Sequence, residues 1–100
     1  MFIVREIFHL QFGRFREAKA LVAEGMKKGI MSNIEGGRFL TDFTGEGYRF
    51  MMELPFKSLA DYEAELNREM SGENWQQWYE EFKKLIRYSE REILKEISIS

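Results

Sequence analysis

The stretch Arg38–Ala64, RFLTDFTGEGYRFMMELPFKSLADYEA, decides the fold. Arg38–Phe43 alternates: Phe39, Thr41 and Phe43 share one face, Arg38, Leu40 and Asp42 the other. That period of two is a strand. Thr44-Gly45-Glu46-Gly47 reverses the chain, because glycine accepts the positive φ of tight hairpins. Tyr48–Phe56 is a second strand, with Tyr48, Phe50, Met52, Leu54 and Phe56 on one face and Arg49, Met51 and Glu53 on the other. Pro55 lacks a donor and closes the pairing. Ser58 then caps a helix, with Asp61 three residues on to favour its N-terminus.

Upstream, Phe2–Leu10 alternates too, and both its faces carry apolar residues, as a central strand requires. Gln11–Arg14 turns, and Gly13 to about Lys28 repeats Phe15, Ala18, Val22 and Met26 at helical spacing. Gly29 stops that helix, and Ser32–Gly37 is loop. Downstream, Leu59, Tyr62, Leu66 and Met70 mark one helix face. Ser71-Gly72 interrupts, and Glu73 to about Tyr88 forms another helix with the stripe Trp75, Trp78, Tyr79, Phe82, Leu85 and Ile86. Glu92–Ile99 is read as the last strand.

The order β-α-β-β-α-α-β predicts an α+β ferredoxin-like sandwich: one domain over residues 1–100, a four-stranded antiparallel sheet, helices on one face. The other face carries Ile3, Ile7, Leu40, Met51 and Leu94. Nothing in the chain is left to cover it. If five such side chains each lose about 50 Å² of apolar exposure, burial contributes roughly 6 kcal/mol per subunit. A homodimer whose sheets close an α+β barrel is therefore expected. The polar residues of that face, Arg5, His9, Asp42, Arg49 and Glu53, balance in sign and are expected to pair across the two-fold.

Composition narrows the function. The formal net charge is −2, which argues against a nucleic-acid partner. The chain has no cysteine, so disulfides, thiolate metal sites and thiol nucleophiles are excluded. Charges inside MFIVREIFHL argue against a signal peptide or membrane span. A cytoplasmic protein without membrane contact is the expectation. Aromatic residues make up 15% of the chain, more than a small core ordinarily needs.

Two segments resemble a known group. FHLQFGRFREA is similar to the strand–turn–helix opening of dimeric α+β-barrel proteins, with Phe12 where their turn usually has proline. LPFKSLADYEAEL is similar to their third strand and following helix start. The nearest resemblance is to the NIPSNAP-like branch, and a more distant one is to antibiotic-biosynthesis monooxygenases. The resemblance implies a dimer and, in related members, a small-molecule pocket between sheet and helices. It implies no cofactor: haem-binding relatives place an axial histidine on a late helix, and this chain has none there.

Glu6 is the candidate catalytic residue, because it shares a strand face with Phe2, Val4, Phe8 and Leu10. A carboxylate there needs a partner or a function. The competing interpretation is a β-bulge or a salt bridge to a nearby Arg or Lys. Tyr48, Trp75, Trp78 and Tyr79 are candidate pocket residues, though aromatic helix faces are commonly plain core. Buried indole N–H groups would need Glu6 or a backbone carbonyl as acceptor. His9, the single histidine, lacks the further ligands a metal site needs, and Glu53 or Asp42 is expected to orient it. Gly45-Glu46-Gly47 opens no helix and is a turn rather than a phosphate loop. Three functions follow: binding of a small apolar or aromatic molecule; a cofactor-independent monooxygenase or isomerase with Glu6 as acid/base; or a non-catalytic interaction module.

Overall fold

The computed structural model describes residues 1–99. The elements run β1 (Phe2–Leu10), α1 (Phe15–Lys27), β2 (Arg38–Thr41), β3 (Arg49–Phe56), α2 (Leu59–Met70), α3 (Trp75–Lys83) and β4 (Ile86–Lys95). The sheet is antiparallel throughout, in the order β2-β3-β1-β4. The α+β ferredoxin-like arrangement expected from the sequence is the one found.

The ends of the elements have local causes. Ser58 caps α2: its hydroxyl accepts a hydrogen bond from the Asp61 amide at 3.0 Å. The β2–β3 hairpin is longer than expected, since the ladder stops at the Thr41–Phe50 pair. Beyond it, Asp42 takes Arg49 in a bidentate ion pair, with Nη2–Oδ1 at 2.7 Å and Nε–Oδ2 at 3.1 Å. Tyr48 sits at φ +58°, outside any strand, and Phe43 is fully exposed at the loop tip. Neither side chain joins the strand faces its alternation predicted.

The last strand also begins earlier. α3 ends at Lys83, and Ile86–Lys95 pairs with all of β1, from Leu10–Ile86 to Phe2–Lys95. Nine central residues in β1 need nine partners, and a strand confined to 92–99 could not supply them. Ile97 and Ile99 instead lie beyond the strand, largely exposed.

The core sits between the helices and one sheet face. Leu10, Ala18, Val22, Phe50, Met52, Trp78 and Phe82 form one buried cluster. Phe82 packs edge-on against Phe8, with ring centres 5.0 Å apart, and lies flat on Trp78. Gly25 lets α1 approach α3: a Cβ there would fall 2.8 Å from Trp78 Nε1.

The opposite face has no helix over it among the described residues, but it is not bare. Rows of side chains run across the four strands. One reads Arg38, Glu53, Arg5, Glu92; the next Leu40, Met51, Ile7, Glu90. Ion pairs lie across the apolar groups and shield them, so Ile7 is already buried within one chain. The apolar area left for a partner is therefore smaller than the sequence suggested.

Candidate functional site

A cavity of about 190 Å³ lies between the helix-facing side of the sheet, α2, α3 and the loop before β2. Its wall is mostly apolar and aromatic. Phe8 and Met52 rise from the sheet, Tyr62 and Leu66 from α2, Trp75 and Tyr79 from α3. Trp75 and Tyr79 stand one helical turn apart, so their rings stack, 4.7 Å between centres and 10° from parallel.

Glu6 lines this cavity, and strand register gives it a partner. Arg91 of β4 lies directly opposite, and its Nε donates to Glu6 Oε1 at 2.5 Å. Glu6 stays on the helix-facing side with no bulge at its position; the salt bridge is the alternative that holds. The Arg91 guanidinium also lies over the Tyr62 ring, 5.7 Å from its centre. The Tyr62 hydroxyl is buried and has no hydrogen-bond partner among the described residues. Burial raises the pKa of this phenol; the nearby Arg91 charge opposes that shift, and the Glu6 carboxylate beside the hydroxyl adds to the rise. The phenol stays neutral, able both to donate and to accept.

The loop before β2 closes one side. Ser32 donates its amide to Glu69 at 2.8 Å and its hydroxyl to Glu65. Arg68 holds Glu65 as well, at 2.7 Å. The hydrogen bonds from Arg68 and then Ser32 lower the Glu65 pKa, so the clasp is anionic near neutrality.

Of the residues singled out from sequence, Glu6, Trp75, Trp78 and Tyr79 surround this one cavity. Tyr48 does not: it packs on Phe12, centres 4.9 Å apart, at the hairpin loop. Its positive φ turns it away from the strand face. Trp78 donates its indole N–H to the Leu21 carbonyl at 2.9 Å, so it is a wall of the core rather than a free donor.

Arg5, His9, Asp42, Arg49 and Glu53 all lie on the other face, where Arg5, His9, Arg49 and Glu53 ring a shallow depression. Glu53 accepts from Arg38 Nη2 at 2.7 Å and Arg5 Nη2 at 2.6 Å. Those two guanidiniums, Arg38 foremost, hold its carboxyl below the usual range, as Arg49 does for Asp42. His9 is not oriented by Glu53 or Asp42. Its Nε2 lies 2.6 Å from Glu90, its Nδ1 3.3 Å from Glu46, and its ring stacks on Tyr88. The described residues hold no group of His, Asp and Glu arranged for a metal. None of their helices is long and apolar enough to cross a membrane.

Sequence reading missed Tyr62, Arg91, Glu90 and Glu92. Two of these four, Glu90 and Arg91, lie in β4 ahead of the strand start expected at Glu92. Counting by twos from Ile86 opposite Leu10 would have put Glu90 beside Glu6; the register shift between His9 and Leu10 brings Arg91 there instead.

A comparison with curated proteins found no match. Solved structures are similar over nearly the whole chain. A NIPSNAP family protein from Agrobacterium tumefaciens strain C58 superposes with TM-score 0.86 at 22% identity, covering 99% of this chain and 88% of that one. A NIPSNAP domain protein from Burkholderia xenovorans gives 0.84 at 14%, covering 100% and 98%. A putative antibiotic biosynthesis monooxygenase from Nitrosomonas europaea is more distant, at 0.69 and 11%, covering 98% and 100%. At these identities the likeness concerns the fold alone. The NIPSNAP family model matches residues 6–100, and on that match the chain belongs to the NIPSNAP family.

Proposed function

We propose that the chain works as a homodimer and binds a small, single-ringed aromatic molecule carrying a polar substituent in the cavity between sheet and helices. The unpartnered Tyr62 hydroxyl carries this reading. Leaving a buried hydroxyl unpaired costs about 1–3 kcal/mol. A phenol, aromatic amide or similar ligand would satisfy it, its ring resting against Trp75, Tyr79 and Phe8.

Size sets the class. The cavity, about 190 Å³, is below the roughly 300–1,000 Å³ of sites for drug-sized ligands. It exceeds the roughly 150 Å³ void that holds benzene in an engineered protein. Haem and long lipids do not fit it. Glu6 acts here by fixing Arg91 over the Tyr62 ring. Its ion pair removes the premise of an acid/base role, which was a lone carboxylate among apolar neighbours.

Thermal denaturation against phenol, benzamide, indole, haem and a fatty acid tests the reading. Monocyclic polar aromatics should raise Tm. A ligand at one hundred times its Kd adds about 2.7 kcal/mol. Tyr62→Phe should fold at least as well as the parent and lose most of that rise. The reading fails if no compound stabilises the parent, or if Tyr62→Phe responds as the parent does.

A further inference from the structure

We propose that the ligand of the cavity between sheet and helices is a phenolic alkylamine, whose ring substituent meets Tyr62 and whose ammonium group pairs with Glu69. The inference rests on the aromatic-ligand reading and names the charge of that ligand.

Charge around the cavity is lopsided. Three carboxylates line it, Glu6, Glu65 and Glu69, against one cation, Arg91. Two of the three are answered within the chain. Arg91 Nε donates to Glu6 at 2.5 Å, and Arg68 Nη2 donates to Glu65 at 2.7 Å. Half-buried Glu69 accepts only the Ser32 amide, at 2.8 Å, and forms no ion pair among the described residues. A carboxylate left over beside an aromatic wall calls for a cation.

The cations nearby are engaged elsewhere. Arg68 turns both Nε and Nη2 to Glu65, 2.9 and 2.7 Å away, and of the groups acting on its charge Glu69 acts least. Lys28, across the rim, is bonded to Glu24 at 2.7 Å. Glu73 on the same rim adds a further negative charge.

The wall suits an ammonium. Trp75 and Glu69 both line the cavity and the shallow cleft that adjoins it, so indole and carboxylate share one stretch of rim. An indole face attracts an ammonium more strongly than any other side-chain ring. Along α2, Tyr62, Glu65, Leu66 and Glu69 recur at helical spacing and all line the cavity. Two turns, about 10 Å of helix, separate Tyr62 from Glu69. Serving both calls for a ring with a short arm rather than a bare ring. An anion fits poorly. Burial, the main cause, raises the Tyr62 pKa, Arg91 opposes it, and Glu6 and Glu69 add to it, so both carboxylates lie close enough to repel a negative ligand.

Tyramine, tyrosol and 4-hydroxyphenylacetate test the charge. They share the phenol and a two-carbon arm, and end in an ammonium, a hydroxyl and a carboxylate. By titration calorimetry on the intact chain at pH 7, tyramine should bind at least about tenfold more tightly than tyrosol, with the acid weakest. Glu69→Gln keeps an acceptor for the Ser32 amide. It should bring tyramine down to the level of tyrosol and leave tyrosol unchanged. A circular dichroism melt establishes that the variant folds; if it does not, the ranking on the parent decides. Tyrosol or the acid binding as tightly as tyramine, or an undiminished preference for tyramine in Glu69→Gln, overturns the amine and leaves the aromatic reading. Binding of phenol or benzamide but of none of the three does the same. A parent that binds none of the five overturns both.

Discussion

Single residues control how closely the layers approach. Gly25 is the sharpest case, because the indole of Trp78 occupies the space a side chain would need. That indole is also pinned by its hydrogen bond to Leu21, on the same helix as Gly25. It cannot withdraw without giving up an acceptor. Gly25→Ala should therefore destabilise the chain by about 1–3 kcal/mol, although alanine favours a helix interior over glycine. Urea unfolding checks this, and a stabilised variant would contradict the packing. At this scale the sequence was half legible. The Ser58 cap and the anomaly of Glu6 could be read from residue type and spacing. Tyr62 could not, since an unpartnered hydroxyl looks like any other tyrosine until its neighbours are placed.

Elements were legible in order and less so in extent. Leu85 and Ile86 lie three and four residues past Phe82, so they continue a helical stripe. They also begin an alternation that runs through Tyr88 to Leu94. The short apolar run fits both periods, and only the demand of β1 for a partner chooses the strand. The β2–β3 hairpin errs the other way. Phe39, Thr41 and Phe43 alternate past the point where the Asp42–Arg49 ion pair ends the ladder.

The charge row across the four strands yields a pH prediction. Arg38 and Arg5 lower the pKa of Glu53 below its ordinary value of 4.5. A carboxyl with a depressed pKa adds stability above its unfolded value and loses it as pH falls through the folded one. Glu53→Gln should thus cost about 1–2 kcal/mol at pH 7. The gap to the parent should close as pH drops below about 4.5. Melting curves from pH 7 to pH 2.5 measure it, and a constant gap would remove the ion pairs as its source.

As a whole, the chain is a slab 20 Å thin against 44 and 37 Å in its other dimensions. That thickness is one sheet layer and one helix layer. The sequence predicted this one-sidedness correctly, because its helices are too few to cover both faces. It overstated the apolar drive to associate: Ile7 is shielded within its own chain, while Tyr88 and Leu94 remain half exposed. Light scattering after size exclusion at micromolar concentration should give twice the 12.0 kDa chain mass. A lone subunit at that concentration would contradict the dimer.

The fourth strand has a further consequence. It flanks β1 along ten residues, and its outer rim keeps the unpaired amides and carbonyls of a sheet margin. Such a margin invites other chains to stack onto it without limit. Arg87, Glu90, Arg91, Glu92 and Lys95 put a charge at every second residue on average, and that spacing is what makes indefinite stacking unfavourable. The charges that guard this margin thus do double duty, since Arg91 also holds Glu6 on one side of the sheet and Glu92 holds Arg5 on the other.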